Sequence, residues 1–167
     1  MAYSRKVWRA RSPKTGYAFS RKTTLVIHHS AGSGLGIDTK AEQYAALRSI
    51  QNFHMDSNGW NDIGYNLILF QPRGLLRRPR LYWGRPWNAN PAAQLGHNSG
   101  TIALCVVADD EPINFLTKRR IIKAAKALRA NHGIQFLRGH RDYNSTECPG
   151  DKLYNLLPEI RKATGLR

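Results

Sequence analysis

Hydrophobic positions fall in short, β-branched runs parted by polar, glycine-rich turns, with stretches of helical spacing between them. Thr23 to His28 (T-T-L-V-I-H) hardly alternates and is rich in β-branched residues, the pattern of a buried strand. A glycine-rich loop, Ala31 to Gly36, follows. Asp38 or Thr39 then caps a helix to about His54, and Glu42, three residues after Thr39, completes a capping box. Leu47, Ile50 and His54 share one face of that helix, so His54 reads as a core-facing histidine held by a hydrogen bond. Ser57-Asn58-Gly59 is a turn. A strand begins near Tyr65, Pro72-Arg73-Gly74 makes a hairpin turn, and Leu75 to Gly84 is a second strand. Arg85 to Asn98, with two prolines and four side-chain amides, is loop. Thr101 to Ala108 is a central strand, ended by the polar break Asp109-Asp110-Glu111-Pro112. Thr117 caps a helix to about Asn131, with Ile121, Ile122, Ala125 and Leu128 inward and Arg119, Lys123 and Lys126 outward. Gly133 stops it. Ile134 to Arg138 is a short strand that delivers His140, and Asp151 caps a last helix, Lys152 to Ala163.

The order β, α, β, β, β, α, β, α predicts an α/β (α+β) single domain, a central mixed β-sheet flanked by helices. The length of 167 residues allows one such core without disulfides. Residues 23–167 form the predicted domain. Residues 1–22 read as a basic N-terminal arm or lead-in that Trp8, Tyr17 and Phe19 can pin to the body. The longest apolar run, Ile102 to Ala108, is far too short to span a bilayer. The basic N-terminus has no apolar stretch behind it, so the sequence predicts no secretory signal and a protein made in the cytoplasm.

Charge narrows the partners. The net charge is +15, and it is clustered: seven Lys/Arg and no acid in the first 22 residues, eight Lys/Arg and no acid from Lys118 to Arg141. Such a field attracts polyanions, whether nucleic acid, anionic lipid or the anionic polymers of a bacterial wall or envelope surface. A nucleic-acid binder needs aromatics among its basic residues, and the only stretch of that kind is Trp8 among Arg5, Lys6, Arg9 and Arg11.

Candidate chemistry sits at two strand ends. His28-His29 closes the first strand, and His140 lies eight positions before Cys148 in a polar segment closed by Pro149-Gly150. One histidine of the pair, with His140 and Cys148, makes a three-ligand zinc site with an open fourth position, the arrangement of a catalytic rather than a structural zinc. Two imidazoles and a thiolate leave a net +1, enough to draw a bound water's pKa from about 15.7 toward about 7. A helix starting at Asp151 would lower the Cys148 thiol's pKa and favour the thiolate. Neighbouring strand residues point to opposite faces, so only one of His28 and His29 faces the site, and spacing does not choose between them. Cys105, inside an apolar strand, reads as a small buried hydrophobe. A Cys105–Cys148 disulfide is the alternative that would remove the ligand.

Four blocks in order, I-H-H-S-A-G, G-W-N-D-I-G-Y-N, H-N-S-G-T-I-A-L-C-V and G-H-R-D-Y-N-S-T-E-C-P-G, resemble the zinc-dependent N-acetylmuramoyl-L-alanine amidases of the type-2 family. That family includes the phage amidase lysozymes and the peptidoglycan recognition proteins. The match runs from about Thr23 to Leu157, and its last block, H-x5-T-x-C-P, is the most specific. The resemblance implies zinc in a groove on one sheet face, held by His28, His140 and Cys148. It implies Tyr65 and Thr146 as catalytic hydrogen-bond donors, Thr146 standing where phage members often carry a lysine. It places His29, His97 and Asn98 in substrate contact. The implied reaction is hydrolysis of the amide between N-acetylmuramic acid and the L-alanine of the stem peptide. The expected protein is a monomeric, bacteriolytic enzyme of the phage endolysin type. It would wait in the host cytoplasm and act on the wall after release, its basic clusters holding anionic wall polymers. The alternatives are a module that binds peptidoglycan without cutting it and a basic partner of nucleic acid or a polymerase.

Overall fold

In the computed structural model, residues 2–32, 36–73 and 78–167 are described. Five strands make one sheet: β1 (Thr24–His29), β2 (Leu67–Phe70), β3 (Arg80–Trp83), β4 (Thr101–Val107) and β5 (Phe136–Gly139), in the order β3-β2-β4-β1-β5. Only β2 and β3 are antiparallel, so the sheet is mixed, as the element order predicts. The central β1 and β4 are buried almost throughout, which is why their sequences run apolar without alternation. The start of the strand expected at Leu75 lies outside the described residues.

Strand alternation divides the side chains between two cores. Leu25, Ile27, Leu67, Leu69, Ile102, Leu104 and Val106 face one side, where helices α2 (Phe115–His132) and α4 (Leu157–Thr164) cover them. Ile68, Phe70, Tyr82 and Val107 face the other, against Leu47 of α1 (Lys40–Asn52). In β1, His28 falls on the α1 side and His29 on the α2 side.

Local chemistry sets the helix ends. Thr39 and Glu42 form the reciprocal capping box at α1, worth about 1 kcal/mol for the Thr39 side chain. His54 belongs to a wider turn, Phe53–Ser57, that follows α1. Helix α2 begins three residues earlier than expected because Asn114, not Thr117, is its N-cap: the Asn114 side chain accepts from Thr117 N–H at 2.8 Å. Gly133, at φ 70°, ends α2 as a left-handed cap. The single helix expected over Lys152–Ala163 is two: α3 (Asp151–Tyr154) and α4. Pro158 is the reason, since it has no N–H to donate and its ring collides with the preceding turn, so it sits in the first turn of a new helix.

The N-terminal segment folds onto the body. Trp8 is fully buried in the α1-side core. Asp62, also buried, gathers the segment: it pairs with Arg5 at 2.8 Å, accepts from Gln51 at 2.6 Å and from Ile63 N–H at 2.8 Å, and takes the Tyr17 hydroxyl. A buried carboxylate needs this many donors to repay its desolvation. Asp62 stands three residues before Tyr65, so the segment buttresses the strand end that carries the candidate site.

Candidate metal centre

Three elements converge at the C-terminal end of β1. The strand presents His28, the turn after β5 presents His140, and the segment entering α3 presents Cys148. One ligand atom from each lies within 4.8 Å of the other two. His28 Nδ1 stands 3.7 Å from Cys148 Sγ, and the two imidazole centroids are 4.6 Å apart. Tetrahedral zinc with N and S ligands places such a pair about 3.6 Å apart, so the donors fit that ion in type and spacing. Both cysteines are free thiols, which removes the disulfide alternative.

Burial sets the protonation states. It is the main cause holding His28 down to about 3, with His140's proximity adding to it, and it also lowers His140. Both imidazoles are therefore neutral at neutral pH and offer lone pairs. The Cys148 thiol was expected to be lowered by a helix N-terminus. It is instead raised to about 11 by burial, which outweighs the His29 N–H (3.3 Å from Sγ) and the nearby Arg141 charge. The correction has a simple origin: α3 is a four-residue turn, too short to supply a useful dipole.

The remaining expected residues take different places. Tyr65 lies beside the ligands, its ring centroid 5.6 Å from that of His28. Burial holds its phenol well above 10, and it hydrogen-bonds the Cys105 thiol, so it is a protonated donor at any working pH. Thr146 accepts the Cys148 N–H at 3.2 Å, which leaves its own proton to give. The His29 ring turns from the ligand cluster to the carbonyl of Asp109, at 3.0 Å. His97 is exposed and packs on Tyr143, centroids 5.1 Å apart. Asn98 spends its side-chain oxygen inside the loop, on the N–H groups of Ala93 and Gln94 at 3.0 and 3.1 Å. His54 is buried, accepts Gly64 N–H at 3.0 Å and packs against Trp60 and Tyr65.

Buried neutral histidines make stability depend on pH. His54 is held at about 4 by burial and His28 at about 3, against an ordinary value near 6.5. Between these values the unfolded chain binds more protons than the folded one, so the unfolding free energy must rise with pH there. For metal-free protein, denaturant titrations from about pH 4.5 to 6.5 should give a positive slope of up to about 1.4 kcal/mol per pH unit for each histidine. The slope should be shallower in His54→Gln. A flat profile would mean these rings are protonated in the fold.

No family model matches the sequence. Among curated proteins, peptidoglycan-recognition protein SC2 of Drosophila simulans is 37% identical over 167 residues, covering 95% of this chain and 83% of that protein.

The chain belongs to the peptidoglycan-recognition protein family.

A human N-acetylmuramoyl-L-alanine amidase is 30% identical over 142 residues, 80% of this chain but 23% of that much longer protein. Among solved structures, the ectodomain complex of peptidoglycan recognition proteins LCa and LCx bound to tracheal cytotoxin superposes with TM-score 0.84 at 26% identity. It covers 95% of this chain and 96% of that one. Drosophila peptidoglycan-recognition protein LB superposes with TM-score 0.76 at 26% identity, covering 100% and 96%. The mixed sheet with helices on both faces is thus the fold of this family. One expectation is overturned. Peptidoglycan-recognition proteins of insects, Drosophila and Holotrichia among them, are relatives of this chain, so a location in the cytoplasm of a bacterial host is withdrawn, and with it the endolysin setting.

Two residues near the ligands carried no signal in the sequence. Gln94, buried in the loop before β4, contacts His28, and Asn144 contacts His140.

Proposed function

We propose that this peptidoglycan-recognition protein is a zinc-dependent N-acetylmuramoyl-L-alanine amidase that acts as a monomer, with residues 23–167 as its catalytic domain. It would cleave the amide between N-acetylmuramic acid and the L-alanine of the stem peptide. The observation that carries the reading is the cluster of two neutral imidazoles and one thiol, with ligand atoms mutually within 4.8 Å, beside the protonated phenol of Tyr65. Recognition without cleavage needs no such donor set, and the name of the human relative agrees with hydrolysis.

His28, His140 and Cys148 would hold the ion. Zinc there supplies a Lewis acid for the amide carbonyl and acidifies water toward neutrality. The rest falls to the chain. The Tyr65 hydroxyl, fixed by burial, donates to the oxygen on which charge develops, and the Thr146 hydroxyl is a second, uncharged donor. His29 and His97 are rim contacts for the glycan or peptide, while Asn98 holds the loop that carries His97. The test is release of new amino termini from purified peptidoglycan. Chelation should stop it and added zinc restore it; cleavage that survives chelation would refute the metal's role.

The basic clusters give a second contact. Behind the sheet from the ligands, Arg78 and the α2 residues Arg119, Lys123 and Lys126 line a groove of about 670 Å³. Helix α2 contains no acidic residue. This groove suits anionic wall polymers better than nucleic acid, because Trp8, the aromatic that might have stacked on a base, is fully buried. Wall binding should fall steeply as salt rises from roughly 0.05 to 0.5 M, since exposed charges are screened over a few ångströms at the upper limit. Salt-independent binding would remove the groove from the account.

A further inference from the structure

A histidine can ligate a metal through one ring nitrogen only if the proton resides on the other, so something must fix the tautomer. Each of the two candidate histidine ligands has a side-chain amide at its Nε2. His28 Nε2 lies 3.1 Å from Gln94 Oε1, and His140 Nε2 lies 3.2 Å from Asn144 Oδ1.

Which end of each amide faces the ring is decided by the other end. Gln94 Nε2 stands 3.2 Å from the His97 carbonyl and 2.6 Å from Thr101 Oγ1. The carbonyl only accepts, and the Thr101 hydroxyl already donates to Asn98 O at 2.9 Å. That end of Gln94 must therefore be the NH₂, and the oxygen faces His28. Likewise Asn144 Nδ2 donates to the Leu95 carbonyl at 3.2 Å, so its oxygen faces His140. An amide oxygen cannot donate, so both Nε2 atoms carry the proton and both Nδ1 lone pairs are left for the ion.

We infer that Gln94 and Asn144 are positioning residues that lock both imidazoles in the Nε2–H tautomer, with the 94–98 loop as their common anchor. The inference rests on the zinc reading for its purpose but not for its geometry. Gln94 is 1% exposed, and its backbone N–H is held by Asn98 Oδ1 at 3.1 Å, so the acceptor's position is fixed before any ion arrives. The choice of neutral amides is also chemical. A carboxylate in either place would push electron density through the imidazole and cancel the site's net +1, whereas an amide fixes the ring without weakening the Lewis acid.

The test combines two readouts on the full chain. Nitrogen-15 spectra of histidine-labelled, metal-free protein at neutral pH should show His28 and His140 as Nε2–H. Gln94→Leu should release His28, and Asn144→Ala should release His140, to a mixture of tautomers. Each variant should bind zinc about 10- to 100-fold more weakly in competition with a chelator. Gln94→Glu keeps an acceptor and should keep the tautomer. Should Gln94→Leu fail to fold, Asn144→Ala, at a half-buried position, decides. An Nδ1–H tautomer at either ring in the wild type overturns the inference, as does zinc affinity within about twofold of wild type in both variants. If the wild type takes up no zinc, the amidase reading fails and the tautomer populations alone decide this one.

Discussion

Cys148→Ser is expected to bring peptidoglycan cleavage to background while the fold survives. Serine is nearly isosteric at this buried position. Its hydroxyl, however, does not ionise at neutral pH and is a poor zinc ligand, so the site drops from three ligands to two imidazoles. The drop is expected to be all-or-none because without the ion the attacking water returns from a pKa of about 7 to about 15.7. The urea midpoint of metal-free Cys148→Ser should match that of metal-free wild type, which separates lost chemistry from lost folding. Cleavage at the wild-type rate would remove Cys148 from the ligand set.

Tyr65→Phe should lower kcat by about 10²- to 10³-fold, the loss usual for one donor to a developing oxyanion. Zinc affinity should hardly move. The ring's packing beside His28 and His54 does not depend on the hydroxyl, and Tyr65 is not one of the three proposed ligands. The phenol's pKa, held well above 10 by burial, makes it a donor and not a base, so the residual activity should keep the wild-type pH dependence. Equal losses in kcat and zinc affinity would make Tyr65 a structural part of the metal site.

Much of this was legible in the chain. The buried strands Thr24–His29 and Thr101–Val107 announce themselves because a strand covered on both faces needs unbroken apolar, β-branched sequence. Thr39 and Glu42 announce a helix start through their own side-chain chemistry. The candidate ligand positions stood out as histidines at strand ends and a cysteine before a helix, in recognisable blocks. What stayed hidden depends on tertiary neighbours. Burial, which no local pattern reports, pushes the Cys148 thiol up when its place before a helix suggested the reverse. Asn114 and Thr117 are both reasonable caps, and only the backbone chooses. Pro158 was in plain sight, but the continuing apolar spacing through Leu153, Leu157 and Ile160 masked the break. Gln94 and Asn144 look like any loop amides until the fold brings them to histidines 66 and 4 positions away. Location failed for another reason: a basic N-terminus says nothing about the kind of organism that makes the protein, and the relatives did.

The central claim is that His28, His140 and Cys148 bind one zinc ion, and calorimetric titration of metal-free protein with zinc in buffers of differing ionisation enthalpy tests it most directly. Neutral pH lies above the lowered histidines and below the thiol at about 11, so binding must displace the thiol proton and nothing from the rings. The expected result is one zinc bound per chain with at least one proton released, that of the thiol, and a further fraction from the zinc-bound water that grows as pH passes about 7, all lost in Cys148→Ser. Absence of saturable binding, or binding with no proton released, would contradict it.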